Sequence, residues 1–387
     1  MAESAGGMVS AKAGPGSAGV PDDASGQAGR SDGGGAITPA RYQNLGQVGV
    51  AQGPEGAVVD AATGRVYVAC SRSNAVSVVN LETMTAEATI SVGREPIGIA
   101  IDQNAGRVFT ADARSDQVSV IDTSTRSVIA SIPVGSYPAG LGIDEPGRRL
   151  YCGDTMDSTM SVIDLDRLER VGAVPAELGA GAVAVDTRRH RAYCVNFVAS
   201  SVTVVDTNDL RPAGRLPLSG WPCAVAVSPR LDEYYVVRSF PGGVTRVATA
   251  SNETLGEITA PTAPVGLAVG PAADRLYLGN RGDGSVSVFG LDGTEWARIP
   301  VGAAPGGVTV HPGDPRLLLV ANSGGASLTV AQDLLDGPPT AAARQGSHPL
   351  VGQQLPGFSL PELRSGAIRD SYEWAEKKYI LNFFASW

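Results

Sequence analysis

Seven times along the chain an anchor residue, proline in all but one case, opens a short apolar run. The anchors are Pro54, Pro96, Pro138, Ala180, Pro222, Pro264 and Pro305, spaced 42 residues apart except for a last step of 41. Thirteen residues after each of the first six comes an aromatic: Tyr67, Phe109, Tyr151, Tyr193, Tyr235 and Tyr277. The seventh repeat carries one more residue and places Leu319 there. About nine residues further on, the segments Val76-Ser77-Val78, Val118-Ser119-Val120, Met160-Ser161-Val162, Val202-Thr203-Val204, Val286-Ser287-Val288 and Leu328-Thr329-Val330 keep the same register. A repeat of this length with room for four short strands and no helix is a propeller blade, since solenoid repeats are shorter or helical. The sequence therefore predicts an all-β, seven-bladed β-propeller.

Each blade has its own internal logic. The first strand, as in Gly98-Ile99-Ala100-Ile101, alternates small and β-branched residues, which suits seven inner strands converging on one axis. The second carries the aromatic and the third the Val-Ser/Thr-Val core. The third often ends in a turn-forming acid such as Asp122, Asp164 or Asp206. The seventh repeat stops near Ala331 after three strands, and Gln43–Val50 is a strand without a blade. The N-terminal strand is predicted to complete the last blade and remove the free edge.

Composition narrows the functional classes. The 49 glycines, 26 prolines and 18% charged residues suit short strands and many turns. A net charge of −9 argues against nucleic acid or an anionic membrane as partner. No stretch is long and apolar enough to span a bilayer, and the N-terminus lacks a basic start and apolar core. A cytoplasmic protein is expected, with export requiring a different start codon. Residues 1–41 are rich in Gly, Ala and Ser and are expected to be disordered. The Gly14, Gly16 and Gly19 pattern there has no flanking strand or helix, so it is compositional. The remaining divisions are a propeller over 42–332, a linker over 333–349 and a second segment over 350–387.

The segments Tyr67-Val68-Ala69-Cys70, Tyr193-Cys194-Val195-Asn196 and Tyr277-Leu278-Gly279-Asn280 resemble degenerate copies of the Tyr-Val-Thr-Asn repeat of the YVTN propeller family. The joints Val92–Gly98 and Val134–Gly140 resemble that family too, and the likeness covers residues 43–332. It implies the fold more than a function, because such propellers include lactonases, quinoprotein scaffolds and plain binding modules.

No catalytic set stands out on the propeller. His190, His311 and His348 are far apart in the repeat, and Cys70, Cys152, Cys194 and Cys223 lack metal-ligand spacing. No metal or cofactor is expected. Chain direction places the joints before the first strands on the same face as the turns between second and third strands. That face gathers the candidate ligand-binding residues Arg72, Arg94, Glu95, Arg114, Tyr137, Asp154, Asn196, Trp221, Arg238 and Arg281. Arginines and aromatics around a central mouth suit a protein or an anionic small molecule. The alternative is a lactonase-type hydrolase, which needs carboxylates such as Glu95, Asp154 and Asp157 gathered on that face.

The C-terminal segment changes character. Gly352, Leu355, Pro356, Phe358 and Leu360 precede an amphipathic stretch and the apolar run Tyr379-Ile380-Leu381-Asn382-Phe383-Phe384-Ala385-Ser386-Trp387. This resembles the opening of thioredoxin-like redoxins of the peroxiredoxin and TlpA-like groups. The resemblance implies an incomplete α/β thioredoxin-like segment whose nucleophile follows directly on Trp387. A reactive thiolate needs a helix N-terminus to lower its pKa. This chain is therefore expected to carry no catalytic residue of its own. A selenocysteine codon read as a stop would explain an end at that point, as would a fragmentary or interrupted reading frame. The whole product is expected to be a propeller recognition module fused to a thiol or selenol oxidoreductase.

Overall fold

The computed structural model describes residues 42–228, 230–260, 263–270, 274–334, 359–361 and 368–370. Seven four-stranded antiparallel sheets follow one another around an axis, and a separate two-stranded sheet pairs Ser359–Pro361 with Ile368–Asp370. The seven-bladed propeller read from the repeat is the observed architecture. Blades 1 to 6 run in simple order, each from its anchor to its outer strand. The seventh sheet combines Pro305–Val310, Leu317–Asn322 and Ser327–Asp333 with Tyr42–Gly49 as its outermost strand. Tyr42 stands opposite Asp333 and Gly49 opposite Ser327, with one irregularity between Asn44 and Gly46. Among the described residues no helix is long and apolar enough to cross a membrane. The tail over 1–41, most of the linker and the apolar run 379–387 lie outside the described residues.

The small residues of the inner strands are sterically required. A Cβ on Gly98 would lie 2.2 Å from the Ala139 carbonyl oxygen of the next blade, and one on Gly266 would lie 2.2 Å from that of Gly306. The second-strand aromatics Tyr67, Phe109, Tyr151, Tyr193 and Tyr235 are fully buried and pack with the Val-rich third strands. In blades 1 to 4 the turn between first and second strands is capped by the aspartate that ends the first strand. Asp102 Oδ1 accepts from the Asn104 and Ala105 amides at 3.1 Å each. His311 does the same with Nδ1, accepting from Gly313 at 3.0 Å and Asp314 at 2.9 Å. That explains why a histidine can stand where blades 1 to 4 use aspartate.

Side chains of the second strands latch blades 1 to 3 each to the next. Arg107 donates to the Leu165 carbonyl at 2.9 Å and Arg149 to that of Thr207 at 2.6 Å. Tyr67 donates to the Thr123 carbonyl at 3.3 Å. At the last junction the acceptor is a side chain: Asp333 Oδ2 receives Arg275 at 2.7 Å and the Tyr277 hydroxyl at 2.6 Å, all buried. Charge-assisted bonds of this kind are about twice as strong as neutral ones.

Candidate functional site

The joints and the turns between second and third strands surround one mouth of the central channel, where a cavity of about 660 Å³ opens. Its wall is mostly backbone and small or apolar side chains, including Ile97, Ala139, Val195, Cys223 and Val265. Polar groups enter from Glu55, Tyr137, Thr155 and Arg281. Glu55 accepts from the Ser71 hydroxyl at 3.1 Å and the Ser323 hydroxyl at 3.3 Å, and Arg281 reaches it only at 3.5 Å. The guanidinium of Arg281 is therefore loosely held beside the opening. A cleft of about 570 Å³ on blades 1 and 2 is lined by Glu55, Ser71, Arg72, Asn74, Arg94, Glu95 and Arg114.

Six of the ten predicted positions lie at this mouth without qualification. Arg72, Arg94, Arg114 and Trp221 are exposed, Tyr137 lines the cavity half-buried, and Arg281 stands at its edge. Glu95 is there too but is engaged: it pairs with Arg114 and accepts the Tyr137 hydroxyl at 3.0 Å across the blade boundary. Burial and that bond raise the Tyr137 phenol above its usual pKa.

The other three face inward. Asp154 and Asn196 end their second strands and are wholly buried. Asp154 accepts from the hydroxyls of Thr159 at 2.9 Å and Ser161 at 2.8 Å and from the Gly135 amide at 3.2 Å. Asn196 donates to Ser201 at 3.0 Å and Thr203 at 2.9 Å and accepts from the Glu177 amide at 3.2 Å. Asp112, Asn280 and Asn322 hold the same place in their blades, so these residues lock the second strand to the third. Burial pushes the Asp112 and Asp154 carboxyls above the usual range, opposed by the hydroxyls that bond them. Arg238 occupies the equivalent position in blade 5 and turns to Glu257 and to the Ser219 hydroxyl.

The three carboxylates that a hydrolase reading draws on are not gathered into one set. Asp154 is buried, Glu95 is paired, and Asp157 accepts the Ser136 amide at 2.7 Å. Among the described residues no three His, Cys, Asp or Glu side chains are grouped as a metal site. All four cysteines are free thiols. Burial pushes Cys194 up to about 12 and Cys223 to about 11, and raises Cys152 well above its usual value. None is an activated nucleophile.

No protein-family model matches the chain, and no curated protein does. Among solved structures the chain is similar to hydrazine synthase of Kuenenia stuttgartiensis. That match has 21% identity and a TM-score of 0.69, covering 73% of this chain and 96% of that one. The likeness establishes the propeller fold and, at that identity, nothing about chemistry.

The apolar part of the mouth escapes a search for polar groups. Met156, Leu178, Phe197, Val198, Trp221 and Phe240 are 46–68% exposed. All six come from joints or second-to-third turns of blades 3 to 5, with Met156 and Phe197 lining the cavity. Trp221 and Phe240 stand 6.2 Å apart, ring centre to ring centre. The sequence signal lies two residues past the end of each second strand. That position reads Arg72, Arg114, Met156, Val198, Phe240, Gly282 and Gly324 around the ring. Cationic residues occupy blades 1 and 2, apolar ones blades 3 to 5, and glycine blades 6 and 7.

Proposed function

We propose that the propeller is a non-catalytic recognition module that binds its ligand, a protein or an anionic small molecule, at this mouth. The observation that carries the reading is the cavity opening on the face where arginines and exposed apolar side chains gather. Cavities of this size, mainly apolar with a few convergent polar groups, are the usual form of ligand sites. The YVTN-type repeat segments and a cytoplasmic setting with reduced thiols fit the same reading.

Cys223 offers a direct test, because it lines the cavity. A panel of organic anions and peptides is screened by thermal shift, and each hit is assayed for protection of Cys223 from iodoacetamide. Hits that raise Tm and slow Cys223 alkylation support binding at the mouth. A panel that gives no protecting hit, or turnover of lactones with a divalent metal, would count against it.

The residues of 350–387 support a second element of the proposal, the beginning of a thioredoxin-like oxidoreductase domain. It rests on the Asn382-Phe383-Phe384-Ala385-Ser386-Trp387 motif in the sequence. In that reading the propeller delivers a partner to a thiol or selenol centre further along the polypeptide. Reading the gene past codon 387 tests it. A TGA or cysteine codon followed in frame by a helix-forming segment is expected, and any other continuation refutes it.

A further inference from the structure

Resting on the mouth reading, we infer that the ligand is a protein partner presenting an apolar, aromatic-bearing segment flanked by carboxylates. A turn follows the second strand in all seven blades, as a 3-10 turn in blade 1 and with a cis Phe240-Pro241 peptide in blade 5, and glycine serves the position two residues past the strand in blades 6 and 7. The fold therefore does not require Met156, Val198 or Phe240 there, nor Arg72 or Arg114. A sector of one chemistry spanning three consecutive blades points to a surface that meets something.

The apolar sector is too wide for a small molecule alone. A compound filling the 660 Å³ cavity would meet Met156 and Phe197 but leave Leu178, Val198, Trp221 and Phe240 outside its walls. Together the six side chains expose on the order of 700 Å², close to what one partner contributes to a standard protein interface. Six of the twelve exposed large hydrophobics among the described residues fall in this one sector. Exposed apolar clusters mark interaction sites, and Trp, Phe and Met are the residues that anchor them.

The charge of the other sector selects the partner's flanks. In the 570 Å³ cleft, Arg94 donates at 2.6 Å to the Arg114 backbone carbonyl, and Arg114 takes the Glu95 carboxylate. Arg72 and Arg94 are exposed there with no carboxylate in salt-bridge contact among the described residues. On a chain of net charge −9, a local surplus of arginine beside an apolar strip calls for carboxylates on the partner. One apolar side chain of the partner would enter the cavity while its acidic neighbours reach blades 1 and 2.

The test is selection of a displayed random dodecapeptide library on the full chain, followed by anisotropy titration of a labelled enriched peptide. Enriched peptides are expected to combine Trp, Phe or Leu with Asp or Glu. Trp221→Ser with Phe240→Ser should raise Kd at least about 10-fold. Arg72→Glu with Arg94→Glu should do so as well, with the loss greatest at low salt. All four sites are exposed, so unchanged Tm in both variants separates binding from folding. Enrichment of basic or wholly polar peptides, no enrichment, or affinity unmoved by both double variants overturns the inference. The amphipathic anion ANS is titrated in parallel. ANS protecting Cys223 while no peptide binds keeps the mouth reading and overturns this one; neither binding overturns both.

Discussion

Adding a single methyl group at Gly98 tests how the seven blades meet. The residue sits on the inner strand Pro96–Asp102, where it pairs with Ala111. An alanine there puts its Cβ 2.2 Å from the Ala139 carbonyl oxygen, 3.2 Å from the Ala139 carbonyl carbon and 3.2 Å from the Gly140 Cα. All three neighbours are backbone, so no side chain can swing aside. Relief requires blades 2 and 3 to part by roughly 1 Å at the axis, where every other blade resists. Overpacking of this kind costs about 3 kcal/mol. For a propeller of this size that corresponds to a Tm drop of roughly 6 °C. Gly172→Ala is the matched control, on an outer strand with nothing within 4 Å of the new Cβ. It should be neutral or stabilising by about 0.5 kcal/mol, through lower entropy of the unfolded chain. Differential scanning calorimetry and urea titration measure both variants. A Gly98→Ala protein melting within about 1 °C of the Gly172→Ala protein would refute the argument that axial convergence dictates the small residues.

Three further outcomes are expected. Replacing Asp112 and Asp154 by Asn, the residue used in blades 4, 6 and 7, should preserve the strand-to-strand bonds because the hydroxyls can turn to accept. Folded carboxyls with raised pKa hold protons that the unfolded chain releases. Wild-type stability should therefore fall relative to the variant as pH rises from about 4 through the folded values, with the two converging below about 4; Tm measured against pH reads this. Asp333→Ala should lower stability by about 3 kcal/mol in urea titrations, since it strips buried Arg275 and Tyr277 of their shared acceptor. In the native protein only Cys223, which is partly buried where the other three thiols are fully so, should react with iodoacetamide. Its rate should rise about tenfold per pH unit from 7 to 9, because its pKa lies near 11; counting modified thiols by mass spectrometry checks it.

The blade count and the grouping of loops on one face were readable because a 42-residue register fixes which turns share a side of the ring. Arg72, Arg94, Arg114, Tyr137, Trp221 and Arg281 reached the mouth for that reason. Asp154 and Asn196 did not, because each ends a strand and points across to the hydroxyls five and seven residues on. The pairs Thr159 with Ser161 and Ser201 with Thr203 were the available clue. Arg238 was harder to place. Its partner Glu257 lies on the outer strand, and no local spacing links the two. Of the apolar sector only its aromatics were legible, because a hydrophobic side chain in a turn looks unremarkable until the same position is compared around all seven blades.

The pairing of Tyr42 with Asp333 has a mechanical meaning. The chain enters and leaves the ring at the same end of one antiparallel ladder, which runs from Tyr42 and Asp333 to Gly49 and Ser327. Tension applied between whatever precedes residue 42 and whatever follows residue 333 loads that ladder in peel rather than in shear. Its hydrogen bonds would then break one after another, starting at the Asn44 and Gly46 irregularity's end of the strand. The ring resists expansion from its axis with all seven blades together, yet has a single seam that a modest pull on its two ends would open like a zip.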